Sequence, residues 1–160
     1  MKHIQKKQLY IKQYNLTNEV LKDDCIFFDI ETTGFSPITS SIYLIGCLHK
    51  EGEQLIIDQF FAENKEDELE VLTKFITLLH QYKTIISFNG IGFDIPFIKA
   101  KCDKYKLEEH LNTFEYIDIF KLISSIKFLL KLPNYKQKTT KSAYLADKSL
   151  LFQQYHKLWK

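Results

Sequence analysis

The stretch that decides the fold is residues 25–35, which read CIFFDIETTGF. Its first four residues are apolar, aromatic or β-branched, and such a run predicts a buried strand. Asp29 and Glu31 come directly after it, and positions i and i+2 of a strand point to the same side. Two adjacent carboxylates repel each other, so the pair predicts a divalent cation such as Mg²⁺ between them. The alternative is that the strand ends at Phe28 and that both acids are solvated.

A second candidate site lies at residues 87–94, which read SFNGIGFD. The preceding residues 84–88 predict another buried strand, and a loop with two glycines separates this strand from Asp94 at the start of a helix. Asp94 alone could be a plain helix cap. Gly90 and Gly92 lack the third glycine and the strand position of a dinucleotide-binding fingerprint.

The rest of the chain predicts an α/β fold with a mixed five-stranded sheet flanked by helices. Further strands are predicted at residues 42–48, 55–61 and 116–119, and helices at 64–82, 95–105, 120–130 and 146–159. We divide the chain into a basic, partly helical extension at 1–22 that packs on the domain, and one domain at 23–160.

Composition restricts the function classes. All basic residues are lysines, so bidentate arginine recognition of phosphate or guanine is excluded. The three cysteines show no Cys-x-x-Cys spacing, and the histidines show no ligand spacing, which argues against a zinc site. No apolar stretch reaches the roughly 20 residues of a membrane span. We therefore expect a cytoplasmic protein without a membrane partner.

The two candidate-site stretches, residues 25–35 and 87–94, resemble the motifs of a known family. Residues 28–35 (FDIETTGF) resemble the first motif of the DEDD, or DnaQ-like, exonuclease superfamily, and residues 89–94 (NGIGFD) resemble the second. Residues 42–46 (IYLIG) and 116–119 (YIDI) are similar to its YprB-like group. The resemblance runs from about residue 25 to the C-terminus. It implies a ribonuclease-H-like three-layer fold and a two-metal 3′–5′ exonuclease that uses Mg²⁺ or Mn²⁺ on the 3′ end of DNA or RNA.

The resemblance also implies roles for individual residues. The implied metal ligands are Asp29, Glu31, Asp94 and Asp147. The implied pocket for the terminal nucleotide contains Thr33, Gly34, Phe35 and Asn89. Asp118 competes with Asp147 as the fourth ligand, but in the family the acid at this place usually bonds backbone N–H groups at the start of the next helix.

The third motif departs from the family pattern. The family places a His five residues, or a Tyr four residues, before its last Asp, whereas this chain has Ser142 and Ala143 there. Tyr144 is one residue too close to Asp147, and we consider it as the group that orients the attacking water. The departure keeps two alternatives open: a nucleic-acid-binding module with weak or no catalysis, and a structure-specific endonuclease.

A lysine-rich stretch between Asp118 and Asp147 contains no acid. Lys136, Lys138 and Lys141 are predicted to bind a phosphate backbone without reading its sequence. The alternative is an ordinary solvated loop and helix face.

Overall fold

The computed structural model describes residues 1–9 and 22–125, which form a mixed sheet flanked by helices. The described strands are β1 (Lys2–Leu9), β2 (Cys25–Thr32), β3 (Ile42–Glu51), β4 (Gln54–Phe61), β5 (Thr84–Ser87) and β6 (Glu115–Asp118). The described helices are α1 (Glu68–Leu79), α2 (Asp94–Tyr105) and α3 (Ile119–Ser125), with single 3-10 turns at Lys65–Asp67 and Leu111–Thr113. None of the described helices is long and apolar enough to cross a membrane.

Strand β2 lies at the centre of the sheet, whose order is β1-β4-β3-β2-β5-β6. It pairs antiparallel with β3 and parallel with β5, and β5 pairs parallel with β6. Because β2, β5 and β6 run in the same direction, their carboxyl ends meet at one edge of the sheet. This edge carries both sequence motifs.

The α/β class and the mixed sheet are confirmed, but the described part of the chain contributes six strands rather than the predicted five. The additional strand is β1, in the extension expected to be partly helical. It pairs antiparallel with β4 over its whole length. The lysines and glutamines of β1 interrupt the apolar pattern by which a strand is recognised in a sequence. An edge strand can keep such polar side chains, whereas an inner strand needs apolar ones.

The two faces of the sheet have separate apolar clusters. Ile26, Phe28 and Ile30 of β2 pack with α1 and α2 on one face. Cys25 and Phe27 lie in the cluster of the opposite face. Since side chains alternate along a strand, Asp29 and Glu31 project from the face opposite α1 and α2.

The predicted helices at 64–82 and 95–105 agree with the structure within a few residues. Helix α1 ends at Leu79 instead of Tyr82. The predicted cap Asn64 accepts a hydrogen bond from the Asp67 amide at 3.2 Å, but it caps the 3-10 turn that precedes α1. The predicted helix at 120–130 is described only to Ser125, and the predicted helix at 146–159 lies outside the described residues.

A buried polar network joins β1, β3 and β4. Asp58 accepts hydrogen bonds from His49 at 2.8 Å, His3 at 2.7 Å and Gln5 at 2.9 Å. His49 also bonds the Tyr82 hydroxyl at 2.6 Å. Burial by itself would raise the pKa of Asp58, but the hydrogen bonds outweigh burial and the pKa is lowered. The ionised carboxylate thus helps to attach β1 to the sheet.

Asp58→Asn is expected to reduce the free energy of unfolding at neutral pH by about 1–3 kcal/mol, because a buried donor loses its acceptor. A carboxyl group with a lowered folded pKa stabilises the fold above its unfolded pKa of about 3.9, and this contribution disappears as the pH falls through the folded pKa. Denaturant titrations should therefore show a shallower acid-side decline for Asp58→Asn than for the parent. The exposed Asp103→Asn is the control, and an equal decline in all three proteins would contradict the assignment.

Candidate metal centre

The first pair of carboxylates projects from the carboxyl-terminal half of β2. Asp29 pairs with Gly46 and Glu31 with Leu44 of β3, so both acids lie within the ladder. The alternative in which the strand ends at Phe28 is therefore wrong. The Asp29 side chain is half-buried and Glu31 is exposed, and a register shift after Glu31 ends the regular pairing.

The third carboxylate comes from the first residue of α2. Asp94 is only 4% exposed, and its Oδ1 accepts a hydrogen bond from the Ile30 amide at 3.0 Å. Its carboxyl group lies close enough to that of Asp29 to raise the pKa of Asp29. Asp94 is thus more than a helix cap, since it connects the second motif to Ile30, the residue of β2 that lies between Asp29 and Glu31.

Burial and neighbouring carboxyl groups raise the pKa of Asp29 and of Asp94. Burial raises the pKa of Asp29, and the neighbouring Asp94 and Glu31 raise it further, to about 8. Burial also raises the pKa of Asp94, and the Asp118 carboxylate adds to this effect. Among the described residues, no lysine or histidine forms an ion pair with Asp29, Glu31 or Asp94. The local charge is therefore negative and uncompensated within that part of the chain.

The chemistry of these donors fits a hard divalent cation, because carboxylate oxygens are the ligands that Mg²⁺ and Mn²⁺ prefer. Within residues 1–9 and 22–125, no three acidic, histidine or cysteine side chains surround a common point in metal-ligand geometry. Asp94 instead uses one oxygen for Ile30 and contacts Asp29. Convergence of Asp29, Glu31 and Asp94 on an ion stays a prediction.

Asp118, at the end of β6, has a structural role in the described part of the chain. It is 4% exposed, and its Oδ1 accepts from the Asn89 amide at 2.9 Å and from the Phe120 amide at 3.0 Å. Its Oδ2 accepts from the Ile91 amide at 3.3 Å. The carboxylate therefore holds the loop of the second motif and the start of α3 together, as the family resemblance implies for this position.

The loop of the second motif depends on a left-handed residue and a close approach. Asn89 has a φ of 62°, a conformation that asparagine tolerates better than most residues. A Cβ at Gly90 would lie 2.4 Å from Ser87 Oγ and 2.5 Å from Ser87 Cβ, so only glycine fits there. Ser87 is itself buried, and its Oγ has no hydrogen-bond partner among the described residues. These constraints place Asp94 directly after a tight turn.

The loop between β2 and β3 contains the other predicted pocket residues. We call residues 33–41 the β2–β3 loop. Thr33 closes it through two bonds to Ser41, one from its amide to the Ser41 carbonyl and one from the Ser41 amide to its Oγ1, both 2.9 Å. A Cβ at Gly34 would lie 2.6 Å from Ser40 Oγ. Phe35 is 92% exposed, and its ring lies 6.4 Å, edge-on, from the Phe93 ring next to Asp94.

A family model places the chain among known proteins. The model of the RNase H superfamily matches residues 26–149, which is most of the chain and includes both motifs. The chain belongs to the RNase H superfamily. A search of curated proteins gave no match.

Solved structures with this RNase H fold include several of Exonuclease I. The apo enzyme gives a TM-score of 0.56 at 13% identity over 74% of this chain and 36% of that chain. E. coli Exonuclease I in complex with a dT13 oligonucleotide gives 0.56 at 13% identity, over 74% and 35%. Exonuclease I in complex with inhibitor BCBP gives 0.60 at 12% identity, over 74% and 36%. At these identities the likeness shows a shared fold, and this chain matches little more than a third of the Exonuclease I chains.

Five of the predicted site residues of this RNase H domain lie outside the described part of the chain: Tyr144, Asp147, Lys136, Lys138 and Lys141. Two residues that the structure brings to the β2–β3 loop, Glu68 and Lys101, were not predicted from the sequence. Both are fully buried and form an ion pair. A signal was present in the helical spacing, because Lys101 lies three residues after the core residue Ile98.

Asp118→Asn is expected to lower the melting temperature by several degrees while cleavage persists. The amide nitrogen cannot accept from a backbone N–H, and an unsatisfied buried donor costs about 1–3 kcal/mol, roughly 2–4 °C per kcal/mol at this size. Asp147→Asn is expected to abolish cleavage with little change in stability. Thermal denaturation and a nuclease assay on both variants test this, and the reverse pattern would make Asp118 the fourth ligand.

Proposed function

We propose that this RNase H domain is a metal-dependent 3′–5′ exonuclease that hydrolyses phosphodiester bonds of DNA or RNA. The observation that carries the proposal is the placement of three acids at one sheet edge: Asp29 and Glu31 on β2, and Asp94 bonded to the Ile30 amide between them. Among the described residues, no lysine or histidine forms an ion pair with these three acids. Such a cluster weakens a fold unless it binds something positive.

Each part of the edge has a distinct role in the proposal. Asp29, Glu31 and Asp94 would hold the cations, with Asp147 as the fourth ligand. Bound divalent cations supply the positive charge that stabilises the attacking and leaving oxygens of a phosphodiester displacement. Asp118 keeps the loop of the second motif in place, so that Asp94 stays within reach of Asp29.

The terminal nucleotide is proposed to bind beside the β2–β3 loop. Phe35 exposes nearly its whole ring next to the second motif, and an exposed aromatic ring can stack on any base. Thr33 closes this loop through its hydrogen bonds with Ser41, and the missing side chain of Gly34 leaves room for Ser40. Lys136, Lys138 and Lys141 are proposed to bind the phosphate backbone further along the strand. Base stacking and lysine–phosphate contacts do not depend on the nucleotide sequence. We therefore expect the enzyme to recognise the end of a strand and not a particular base sequence.

The direct test is cleavage of single-stranded DNA and RNA labelled at the 5′ end. The parent is expected to produce a ladder shortened from the 3′ end in Mn²⁺ and no ladder in EDTA. Asp29→Asn is expected to reduce the rate by more than about 100-fold, since even partners of metal ligands commonly contribute 10–100-fold. Asp103→Asn, an exposed acid on α2, is the matched control and should cleave normally.

Three outcomes would contradict the proposal in different ways. Equal cleavage in EDTA would exclude a divalent metal. Cleavage of circular single-stranded DNA would identify an endonuclease. Binding of oligonucleotides without cleavage in any divalent cation would identify a binding module.

Phe35→Ala is expected to weaken binding of a single-stranded oligonucleotide and to leave the melting temperature unchanged. Stacking of a base on an aromatic ring contributes about 1–3 kcal/mol, which corresponds to at least a fivefold increase in Kd. Stability should not change because the ring makes little contact with the core. Fluorescence anisotropy in EDTA measures the Kd without turnover.

The control for Phe35 is Ile38→Ala. Ile38 lies on the same loop and is 89% exposed, but it has no aromatic face. Its replacement should change the Kd much less. Equal effects of the two substitutions would mean that Phe35 contributes only general apolar surface, and no effect of either would place the terminal base elsewhere.

A further inference from the structure

A buried ion pair lies beneath the β2–β3 loop and is not part of the carboxylate cluster. Lys101 of α2 places its Nζ 3.2 Å from Oε1 of Glu68 in α1. The two side chains are 1% and 0% exposed. They belong to different helices, and both lie among apolar core residues.

Both members of the pair bond to the main chain where the β2–β3 loop ends. Lys101 Nζ donates a hydrogen bond to the Ser40 carbonyl. Glu68 Oε1 accepts from the Ile42 amide at 2.7 Å. The loop is therefore attached at two nearby points to the helices beneath it, in addition to its own closure between Thr33 and Ser41.

Further contacts fix the orientation of the two charged groups. The Tyr105 hydroxyl donates to Glu68 Oε2 at 2.6 Å. The Lys101 ammonium lies 5.7 Å from the centre of the Phe97 ring, within the range of a cation–π contact. Hydrogen bonds from Tyr105, Ile42 and Lys101 oppose the effect of burial, and the pKa of Glu68 is lowered.

Stability alone does not explain such a pair. A buried ion pair loses hydration on both partners, and apolar residues of similar volume are often at least as stabilising. Apolar side chains, however, could not bond the Ser40 carbonyl and the Ile42 amide. The distinctive property of this pair is that it fixes the position of a loop.

The fixed loop lies beside the candidate metal centre. Lys101 belongs to the helix that begins with Asp94, so the same helix carries a candidate ligand and the anchor of the β2–β3 loop. Phe35 at the loop is in edge contact with Phe93, the residue before Asp94. The position of Phe35 relative to the carboxylates therefore depends on two contacts of its loop, one with Phe93 just before α2 and one with Lys101 within α2.

We propose that Glu68 and Lys101 are positioning residues that hold the β2–β3 loop in the position required to bind the end of a nucleic acid strand. This inference rests on the proposed exonuclease function. The pair touches neither the carboxylate cluster nor the proposed path of the substrate. Its loss should weaken binding of the strand end and leave the chemical step unchanged.

The test compares Lys101→Met with Lys104→Met. Methionine fills the space of the lysine chain but cannot bond the Ser40 carbonyl. Lys104 is the matched control, because it also approaches Glu68, at 3.5 Å, but it is 45% exposed and makes no bond to the loop in the described structure. Glu68→Gln is the second variant should Lys101→Met not fold, and Lys101→Arg is the conservative rescue.

Two measurements are made below the melting temperature of every variant. Steady-state cleavage of a single-stranded oligonucleotide in Mn²⁺ should show KM raised about 10-fold or more for Lys101→Met, with kcat within about twofold of the parent. Hydrogen exchange should be faster at the Ser41 and Ile42 amides. Lys104→Met should match the parent in both measurements, and Lys101→Arg should recover most of the lost affinity.

The inference is overturned if Lys101→Met and Glu68→Gln keep the KM of the parent, or if their exchange at Ser41 and Ile42 is unchanged. A fall in kcat at constant KM would also overturn it, because the pair would then act on the chemical step. A parent that neither binds nor cleaves oligonucleotides would instead overturn the proposed function, and that result is distinct because it appears before any substitution is made.

Discussion

The hydrogen bond from the Ile30 amide to Asp94 Oδ1 is the interaction on which the candidate site depends. It joins a strand to a helix start 64 residues later, and it does so at the residue between Asp29 and Glu31. Without this hydrogen bond, the two motifs would still lie at the same edge of the sheet, but the distance between them would not be fixed. With it, three carboxylates are held together despite their mutual repulsion. This arrangement concentrates negative charge at the carboxyl end of β2.

Buried polar groups support this arrangement from several sides. Asp118 holds the loop of the second motif, the pair of Glu68 and Lys101 holds the β2–β3 loop, and Asp58 attaches β1. In each case a charged side chain accepts hydrogen bonds from, or donates them to, groups that are far away in sequence. The apolar core determines the layers of the fold, whereas these side chains determine where the irregular segments at the sheet edge lie.

Local periodicity was enough to predict the parts of the site that depend on neighbouring residues. Asp29 and Glu31 share a face because strand side chains alternate, and Asp94 opens a helix because a glycine turn precedes it. The long-range bonds could not be predicted in this way, since nothing near Asp94 indicates Ile30 as its partner. Strand β1 was missed because its lysines conceal an edge strand. Lys101 shows that a charge at a core position of an amphipathic helix indicates a buried partner without identifying it.

The central claim is that Asp29, Glu31 and Asp94 bind divalent cations at this sheet edge. Anomalous diffraction from a crystal soaked in Mn²⁺ tests it most directly. We expect an anomalous peak with carboxylate oxygens of Asp29, Glu31 and Asp94 at about 2.0–2.6 Å, the range for hard divalent cations. The direct approach of the Asp29 and Asp94 carboxyl groups should be replaced by bonds from both to the ion. A fully soaked crystal without a peak at this edge would contradict the claim.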